Sequence, residues 1–405
     1  MRRAGTRARV CVRRVTIGLV AVLLAACSSR PAADPSTPRV SYPHRTGPSL
    51  SQVDPVSKSL LFGLGTFALF RSDDGGESWE TVSQPCGGRA DSVALAFLDR
   101  STGVVSCVGE YFEMTTDGGR SWSQVGSHIG HPFPEGGVLS PVVARDGEIL
   151  VALFSRRGSR FSQYIGVWTK AQPRWRYARL HSGQVPEFSV SLQIVSSTRS
   201  FAVFGEPPYC DARCFGVSPR LGVSPLYVTN DGWHTWRAAP TPCNGRRVPN
   251  LFELLDATRN QVTMSCVWGL VSGSQVQDVF DTSDGGQSWT LASTTSASHS
   301  SQVGTIPSHG GLLYYDTVAS VGGTIWMQSS FAGLLESQDG GHRWTRVLTA
   351  LHGHRLQSQW IVMRPSGQGA LMNARLGGFG WVTTWWTTRN DGRSWTMRWR
   401  SPATP

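Results

Sequence analysis

Short stretches of alternating apolar and polar residues follow one another along most of this chain. Between residues 92 and 125, SVALAFLD alternates, GVVSCVGE follows, YFEMTT leads into a glycine-rich octet and SWSQV leaves it. A later region repeats this order as LFELLD, QVTMSCVW, VFDTS and SWTLA. Period-two alternation interrupted by turn residues is typical of short β-strands, and no stretch has the 3.6-residue period of an amphipathic helix. The pattern therefore predicts an all-β protein with four strands in each repeated unit.

The octet recurs and sets the length of the unit. Its copies are SDDGGESW (72–79), TTDGGRSW (115–122), TNDGWHTW (229–236), TSDGGQSW (282–289), SQDGGHRW (337–344) and TRNDGRSW (388–395), with a worn copy, TKAQPRW (169–175). The closing tryptophans recur about every fifty residues, at Trp79, Trp122, Trp175, Trp236, Trp289, Trp344 and Trp395. Seven four-stranded units at this period predict a seven-bladed β-propeller over residues 49–405.

The octet pattern, Ser/Thr-x-Asp-x-Gly-x-x-Trp, resembles the Asp-box, or BNR repeat, of sialidase-like propellers, and its DGG-x-S-W form is similar to the photosystem II assembly-factor family. The resemblance implies a hairpin between the third and fourth strands of each blade. We expect the third octet residue to accept backbone hydrogen bonds in this turn, at Asp74, Asp117, Asp231, Asp284, Asp339 and Asn390. We expect each tryptophan to pin the hairpin to its own blade. One active site does not need a copy in every blade, so the octets are predicted to be structural.

The N-terminus has the organisation of an export signal. Six arginines precede the apolar run VTIGLVAVLLAA (15–26), which is too short to span a bilayer as a mature helix. The run ends in Leu24-Ala25-Ala26-Cys27, which resembles the lipobox of bacterial lipoproteins. The resemblance implies cleavage before Cys27 and a diacylglycerol on its thiol, with palmitate as an optional third chain; an ordinary secretory peptide is the alternative. We predict a signal peptide (1–26), a lipidated proline-rich tether (27–48) and a location on the extracytoplasmic side of the cell membrane.

Composition and charge narrow the class of partner. The chain has 405 residues, of which 40% are hydrophobic and 16% charged, as in globular proteins. The formal net charge is +11, but six of the positive charges lie in the first 14 residues, which leaves +5 on the rest of the chain. A field this weak argues against nucleic acid as a partner.

The cysteines predict disulfides. Beyond Cys11 in the leader and Cys27, an even set of six remains in a protein that we expect to be exported. Cys86 and Cys243 each lie 7 residues after an octet tryptophan, and Cys107 and Cys266 each lie in the second strand of the following blade. Equivalent positions should form equivalent bonds. The register therefore predicts the pairs Cys86–Cys107 and Cys243–Cys266, with Cys210–Cys214 closing a loop.

Propeller topology places these cysteines on one face. Because the strands alternate in direction, the octet turns lie on one face, and the fourth-to-first and second-to-third connections lie on the other. The longest insertions (205–225 and 269–278) also belong to the second face, where recognition residues usually lie. The candidate binding residues are Tyr209, Arg213, Phe215, Arg220, Arg246, Arg247 and Trp268. A protein or glycan is the expected ligand; the equal alternative is that these side chains only cap the blades.

The sequence contains few signs of catalytic residues. The sequence contains no HExxH, GxSxG or phosphate-binding loop, and it lacks the Arg-Ile-Pro signature of sialidases. The carboxylates near the loop face form no recognisable pair: Asp91, Glu110, Glu135, Glu187, Glu206 and Asp211. The histidines of the fourth-to-first connections have no compact zinc spacing: His128, His131, His181, His299, His352 and His354. We therefore predict a membrane-anchored binding or scaffold module without cofactor or metal. The alternatives are a glycoside hydrolase of sialidase-like or two-carboxylate type and an assembly factor for a membrane protein complex.

Overall fold

The computed structural model describes most of the chain after the predicted tether. The described residues are 47–48, 50–65, 67–88, 92–107, 111–125, 136–145, 147–157, 160–183, 189–205, 225–243, 251–258, 261–268, 276–295, 303–307, 318–329, 333–348, 356–377 and 380–400. All of them belong to one compact unit, residues 38–405. The predicted signal peptide and Cys27 lie outside the described residues. Within the described part, no helix is both long enough and apolar enough to cross a membrane.

The described strands form seven sheets, one for each predicted blade. Blades 1 to 3 contain β1 (Gln52–Pro55), β2 (Leu61–Leu64), β3 (Leu69–Ser72), β4 (Glu80–Ser83); β5 (Ser92–Phe97), β6 (Gly103–Cys107), β7 (Tyr111–Thr115), β8 (Ser123–Val125); and β9 (Gly136–Arg145), β10 (Glu148–Arg157), β11 (Arg160–Thr169), β12 (Gln172–Gly183). A 3-10 turn, Pro85–Gly88, joins blades 1 and 2. Each of these three sheets is antiparallel, and its strands follow chain order.

Blades 4 to 7 follow the same plan. They contain β13 (Ser189–Ile194), β14 (Ser200–Gly205), β15 (Leu226–Thr229), β16 (Arg237–Ala239); β17 (Leu251–Ala257), β18 (Val262–Trp268), β19 (Val276–Thr282), β20 (Thr290–Thr294), β21 (Gly304–Thr305); β22 (Val318–Val321), β23 (Thr324–Ser329), β24 (Gly333–Ser337), β25 (Thr345–Leu348); and β26 (Leu356–Met363), β27 (Gly369–Gly377), β28 (Gly380–Thr388), β29 (Thr396–Arg400). Blade 5 has a fifth strand, because β21 pairs in parallel with β20. The seven-bladed β-propeller predicted from the repeat is confirmed.

The hydrophobic core lies between blades rather than within them. The buried side chains of the described residues form seven clusters, and each cluster joins two neighbouring blades. The last cluster packs Leu50 and Val53 of blade 1 against Met372 and Trp385 of blade 7. No strand is exchanged between these two blades among the described residues. Side-chain contacts therefore close the ring.

The octets form tight turns that their own side chains hold. In blade 2, the hydroxyl of Thr115 accepts the N–H of Gly119 at 2.9 Å and donates to Asp117 at 2.8 Å. Asp117 also accepts the backbone N–H and the hydroxyl of Ser121, at 2.9 and 2.6 Å. The fourth and fifth octet residues have positive φ, which explains the glycine pair. In blade 4, Trp233 occupies the second of these positions with φ of 67°.

Hydrogen bonds between turns confirm which connections share a face. The N–H of the fourth octet residue donates to a carbonyl of the first-to-second-strand turn of the same blade. These bonds join Gly75 to Ser59, Gly118 to Ser101, Gly232 to Thr198 and Asp391 to Gly367, at 2.7 to 2.9 Å. The first-to-second turns and the octets therefore lie on one face, which we call the octet face. The remaining connections lie on the opposite face.

The octet tryptophan contacts the preceding blade as well as its own blade, to which we expected it to pin the hairpin: the Trp122 ring packs edge-to-face against Phe97 of blade 2, with ring centroids 6.4 Å apart. The indole N–H of Trp122 donates to the hydroxyl of Ser83 in blade 1 at 2.9 Å, and that of Trp344 donates to Ser293 in blade 5 at 3.0 Å. Each serine follows a β-bulge in the outer strand of its blade. A bulge re-aims the residue beside it. The octet thus joins blades as well as turning the chain.

We expect Ser83→Ala to lower the free energy of unfolding by about 1–2 kcal/mol, because it removes the acceptor of the Trp122 N–H in a partly buried contact. Urea unfolding followed by tryptophan fluorescence measures the change. Ser123→Ala, at an exposed position of β8, is the matched control and should change stability by less than about 0.5 kcal/mol. Equal effects of the two substitutions would show that the contact between blades contributes nothing.

The octet carboxylates make stability depend on acid pH. Hydrogen bonds from the hydroxyl and the N–H of Ser121 lower the pKa of Asp117 to about 2, and those from Thr235 lower the pKa of Asp231 to about 2. An unfolded aspartate titrates near 4, so this stabilisation is complete above about pH 4 and is lost as the pH falls towards 2.

We expect Asp117→Asn to retain the turn and to flatten this acid dependence. Blade 7 already carries Asn390, whose amide oxygen accepts the N–H of Ser394 at 3.0 Å. The measurement is the urea midpoint at pH 7 minus that at pH 2.5, which should be smaller in the variant than in the parent protein. An unchanged difference would mean that Asp117 does not contribute to acid unfolding.

Candidate functional site

The first strands of all seven blades line a central cavity of about 530 Å³. Its wall is mixed in character, with apolar residues such as Phe252 and Val318 beside the indole of Trp360 and the side chains of Glu253 and Gln193. Inner strands have no neighbour on the channel side, so their backbone groups need other partners. A polar side chain in this wall can therefore have one of two roles: it bonds the backbone of a neighbouring inner strand, or it is free to contact a ligand.

Several polar side chains of the wall tie neighbouring inner strands together. Gln52 of blade 1 donates to the carbonyl of Leu95 in blade 2 at 2.9 Å and accepts its N–H at 2.7 Å. In the same way, Ser191 accepts the N–H of Leu254 at 3.0 Å, and Gln193 donates to its carbonyl at 3.2 Å. These side chains replace the strand pairing that the channel side lacks. Their role is structural.

An arginine lies across the octet-face end of the cavity. Arg364 follows β26 of blade 7, and its guanidinium forms an ion pair with Asp54 of blade 1. It also donates to the carbonyl of Phe97 in blade 2 at 2.9 Å and to that of Ala144 in blade 3 at 2.8 Å. Asp54 is 2% exposed and also accepts the N–H of Phe97 at 2.5 Å. One side chain thus connects four blades.

A second set of polar groups joins blades 3, 5 and 6 at the same end. Asp256 lies near the end of β17 in blade 5, where it interacts with Ser320 of blade 6 and with the positive charge of Arg145 of blade 3. Burial raises the pKa of Asp256, and its contacts with Ser320 and Arg145 only partly oppose the rise. A carboxyl group with a raised pKa has a property that a general acid needs, although Asp256 itself is not one of the residues that line the cavity.

Two disulfides brace the face opposite the octets. Cys86 is bonded to Cys107 and Cys243 to Cys266, the pairs that the repeat register predicts. Each joins the segment that leaves one blade to the second strand of the next blade. Near the first disulfide, Glu113 accepts the N–H of Cys86 at 2.7 Å. The two sulfur atoms and the Glu113 carboxylate lie within 4.8 Å of one another, but bonded sulfurs are not thiolate ligands for a metal.

An exposed aromatic residue lies on this disulfide-braced face. Phe67 is in the turn between β2 and β3, where the N–H of Gly65 donates to the carbonyl of Ala68 at 2.9 Å. Its side chain is 53% exposed. The only other large hydrophobic side chain exposed to a similar degree among the described residues is Trp236, in an octet at 37%. Phe67 is thus a recognition candidate on the face that the sequence favoured.

Most of the binding residues proposed from the sequence lie outside the described residues. These are Tyr209, Arg213, Phe215, Arg220, Arg246 and Arg247, together with Cys210 and Cys214. The backbone of Trp268 is at the end of β18, and its side chain is not described. The loop-face carboxylates named above also fall outside. Of the six histidines, His181 lies within β12 rather than in a connection, and the others fall outside the described part.

Sequence reasoning missed the charged residues in and beside the cavity. Asp54, Arg145, Asp256 and Arg364 lie at the ends of inner strands, next to first-to-second-strand turns. Their positions differ between blades, since Asp54 and Asp256 lie within their strands whereas Arg145 ends β9 and Arg364 follows β26, so the repeat offers no common charged position that would have revealed them. Phe67 was missed because one phenylalanine in a turn carries no pattern.

Comparison with known proteins supports the fold. No protein-family model matches the chain, and no curated sequence matches it. Among solved structures, YCF48 from Cyanidioschyzon merolae is 15% identical, with a TM-score of 0.51 over 86% of this chain and 97% of that one. YCF48 bound to D1 peptide is 14% identical (TM-score 0.49, 82% and 92% covered), and the polysaccharide lyase Uly1 is 10% identical (0.47, 91% and 95%). The similarity to YCF48 from Cyanidioschyzon merolae, at 15% identity, shows the β-propeller fold alone and no shared activity.

Proposed function

We propose that this protein is a lipid-anchored, extracytoplasmic binding module that captures a protein or glycan on its disulfide-braced face. The observation that carries the proposal is the combination of two disulfides and exposed Phe67 on one face. Disulfides restrict the connections that they join, and a preorganised surface loses less entropy on binding. Exposed aromatic side chains on such surfaces are common anchors. Anchoring through Cys27 remains part of the proposal.

The cavity supports a binding role less strongly than the disulfide-braced face does. Gln52, Ser191, Gln193 and Arg364 already bond to neighbouring blades, so a ligand would have to displace contacts that hold the ring. The disulfide-braced face carries no such conflict at Phe67. A partner that binds there leaves the contacts between blades intact.

The experiment screens the purified protein against a glycan array and a random-peptide library, and then measures the selected ligand on two variants. Phe67→Ala should weaken binding about tenfold or more, as expected for loss of an aromatic anchor. Trp236→Ala, which removes the exposed aromatic residue of the octet face, should change affinity by less than about twofold. Equal losses, or a loss with Trp236→Ala alone, would contradict the proposal.

A glycoside hydrolase is the second candidate, and Asp256 is the observation that favours it. Its buried carboxyl group with a raised pKa could protonate a glycosidic oxygen. A panel of fluorogenic glycosides tests this function. Turnover that Asp256→Asn abolishes, and that Asp73→Asn at an exposed octet position leaves intact, would establish the enzyme. The assembly-factor hypothesis is tested separately, by co-purification of a membrane complex from solubilised membranes.

A further inference from the structure

The outer edge of blade 3 differs from those of the other blades. Its outer strand, β12, has 12 residues, whereas the outer strands of the other blades have 3 to 5. Among the described residues, β12 pairs as a strand only with β11, and its register shifts at Leu180 and between Gln172 and Arg176. A long edge strand presents a row of backbone donors and acceptors on which another strand can pair. The fold gives blade 3 such an edge.

Loss of the octet accompanies the lengthening. Blade 3 carries the worn copy, and there the chain turns at Lys170 and Ala171, between the paired residues Thr169 and Gln172. The N–H of Lys170 donates to the carbonyl of Gly147 at 2.9 Å, in the adjacent turn. The octet-type turn has thus been replaced by a short hairpin, and all four strands of this blade have 10 or more residues.

Blade 5 shows that an outer edge of this propeller accepts an extended segment. There β21, a segment of the same chain, pairs with outer strand β20. The N–H of Ile306 donates to the carbonyl of Thr294 at 3.1 Å, and the Ile306 side chain is buried between blades 5 and 6. Backbone pairing with one inserted side chain is how strand addition recognises peptides. The same geometry is therefore compatible with this fold.

The charge of the edge indicates which segment would fit. Strand β12 reads QPRWRYARLHSG and contains no acid. Arg174 and Arg179 are exposed, and the guanidinium of Arg179 also donates to the hydroxyl of Ser162 in β11 at 3.2 Å. Arg176 donates to the carbonyl of Gly232 in blade 4 at 2.9 Å. The outer strands of the neighbouring blades, β8 (SQV) and β16 (RAA), also lack acids. The outer strands of blades 2 to 4 together are therefore basic, and they would attract an acidic partner.

We propose that the outer edge of blade 3 is a docking site for an extended acidic peptide segment of a partner protein, which adds to β12 as a further strand. Its backbone pairs with β12, and acidic side chains on both faces of the added strand approach Arg174 and Arg179, which alternation along β12 places on opposite faces of the sheet. The site is distinct from the disulfide-braced face and does not depend on the function proposed for it. Recognition requires an extended backbone and negative charge together.

The test uses the full-length protein and a fluorescent probe, acetyl-Thr-Glu-Thr-Glu-Glu-Thr-Glu-Thr-amide, which presents glutamates on both faces of an extended strand. Two comparison peptides are a probe with two threonines replaced by proline, which keeps the charge and loses backbone donors, and a probe with lysine in place of every glutamate. We expect fluorescence anisotropy to show binding of the probe and a dissociation constant at least about tenfold higher for both comparison peptides. Hydrogen exchange should show slower exchange of β12 amides when the probe is bound.

Variants separate this edge from general attraction to a basic protein. Arg174→Glu with Arg179→Glu should weaken probe binding about tenfold, whereas Arg100→Glu with Arg343→Glu, on exposed octet-face positions, should change it less than twofold. Equal binding of the proline-containing peptide, equal effects of the two variant pairs, or no slowing in β12 would overturn the proposal. So would slow β12 exchange that depends on protein concentration without peptide, because that result would identify a second copy of the chain as the occupant.

Discussion

Replacing Arg364 by methionine should lower the free energy of unfolding by about 3–5 kcal/mol, the largest loss that we expect from one substitution in this protein. The reason is its position. The guanidinium of Arg364 neutralises Asp54 and bonds carbonyls of blades 2 and 3, and Asp54 is 2% exposed. Without the arginine, a charged carboxylate is left in a site that water hardly reaches. Urea unfolding of the parent and variant proteins measures the loss.

Two comparisons test the cause of this loss. Arg393→Met, at an exposed position of the same blade, should cost less than about 0.5 kcal/mol. Adding Asp54→Asn to Arg364→Met should recover part of the stability, because the uncompensated charge disappears while an amide oxygen can still accept the N–H of Phe97. A loss for Arg364→Met as small as that for Arg393→Met would show that the ring closes through the apolar cluster between blades 7 and 1 alone.

The fold was accessible from the sequence because repeated units amplify a weak local signal. One four-residue strand such as β4 cannot be predicted with certainty from its own residues. Seven repeats of the same order of strands and turns make the prediction strong. The hydrogen bonds within the octet turn could also be predicted from the sequence, since those of Thr115, Asp117 and Gly119 join residues at most four positions apart. The contact of Trp122 with Ser83 was not readable, because it depends on a bulge in another blade.

The candidate site could be predicted only in part. The register gave both described disulfides, since covalent pairing follows from equivalent positions. The cluster around Arg364 joins residues that are 310 positions apart in the chain, and only closure of the ring brings it next to Asp54. The octet face, whose turns we predicted to be structural, therefore borders the charged end of the cavity, where Asp54, Arg145 and Arg364 lie. A local sequence pattern does not indicate which distant residues come into contact when the ring of blades closes.

Removing the disulfide between Cys243 and Cys266 should produce the second large effect. Replacing both residues by alanine should lower the free energy of unfolding by about 3 kcal/mol, because the bond closes a loop of 23 residues and its loss increases the entropy of the unfolded chain. Both cysteines are buried in the cluster between blades 4 and 5, so alanine avoids leaving a polar group there. Denaturation of the oxidised parent protein provides the reference.

The pair Cys86 and Cys107 provides an internal control for this argument. Its loop of 21 residues is nearly as long, so the same double substitution there should cost a similar amount, about 3 kcal/mol. The two disulfides lie in different pairs of blades, so the losses should add in the fourfold variant. The parent protein treated with reductant should lose about the same stability as that variant. If reduction leaves the urea midpoint unchanged, the disulfides contribute no stability. That result would contradict the preorganisation on which the proposed binding face depends.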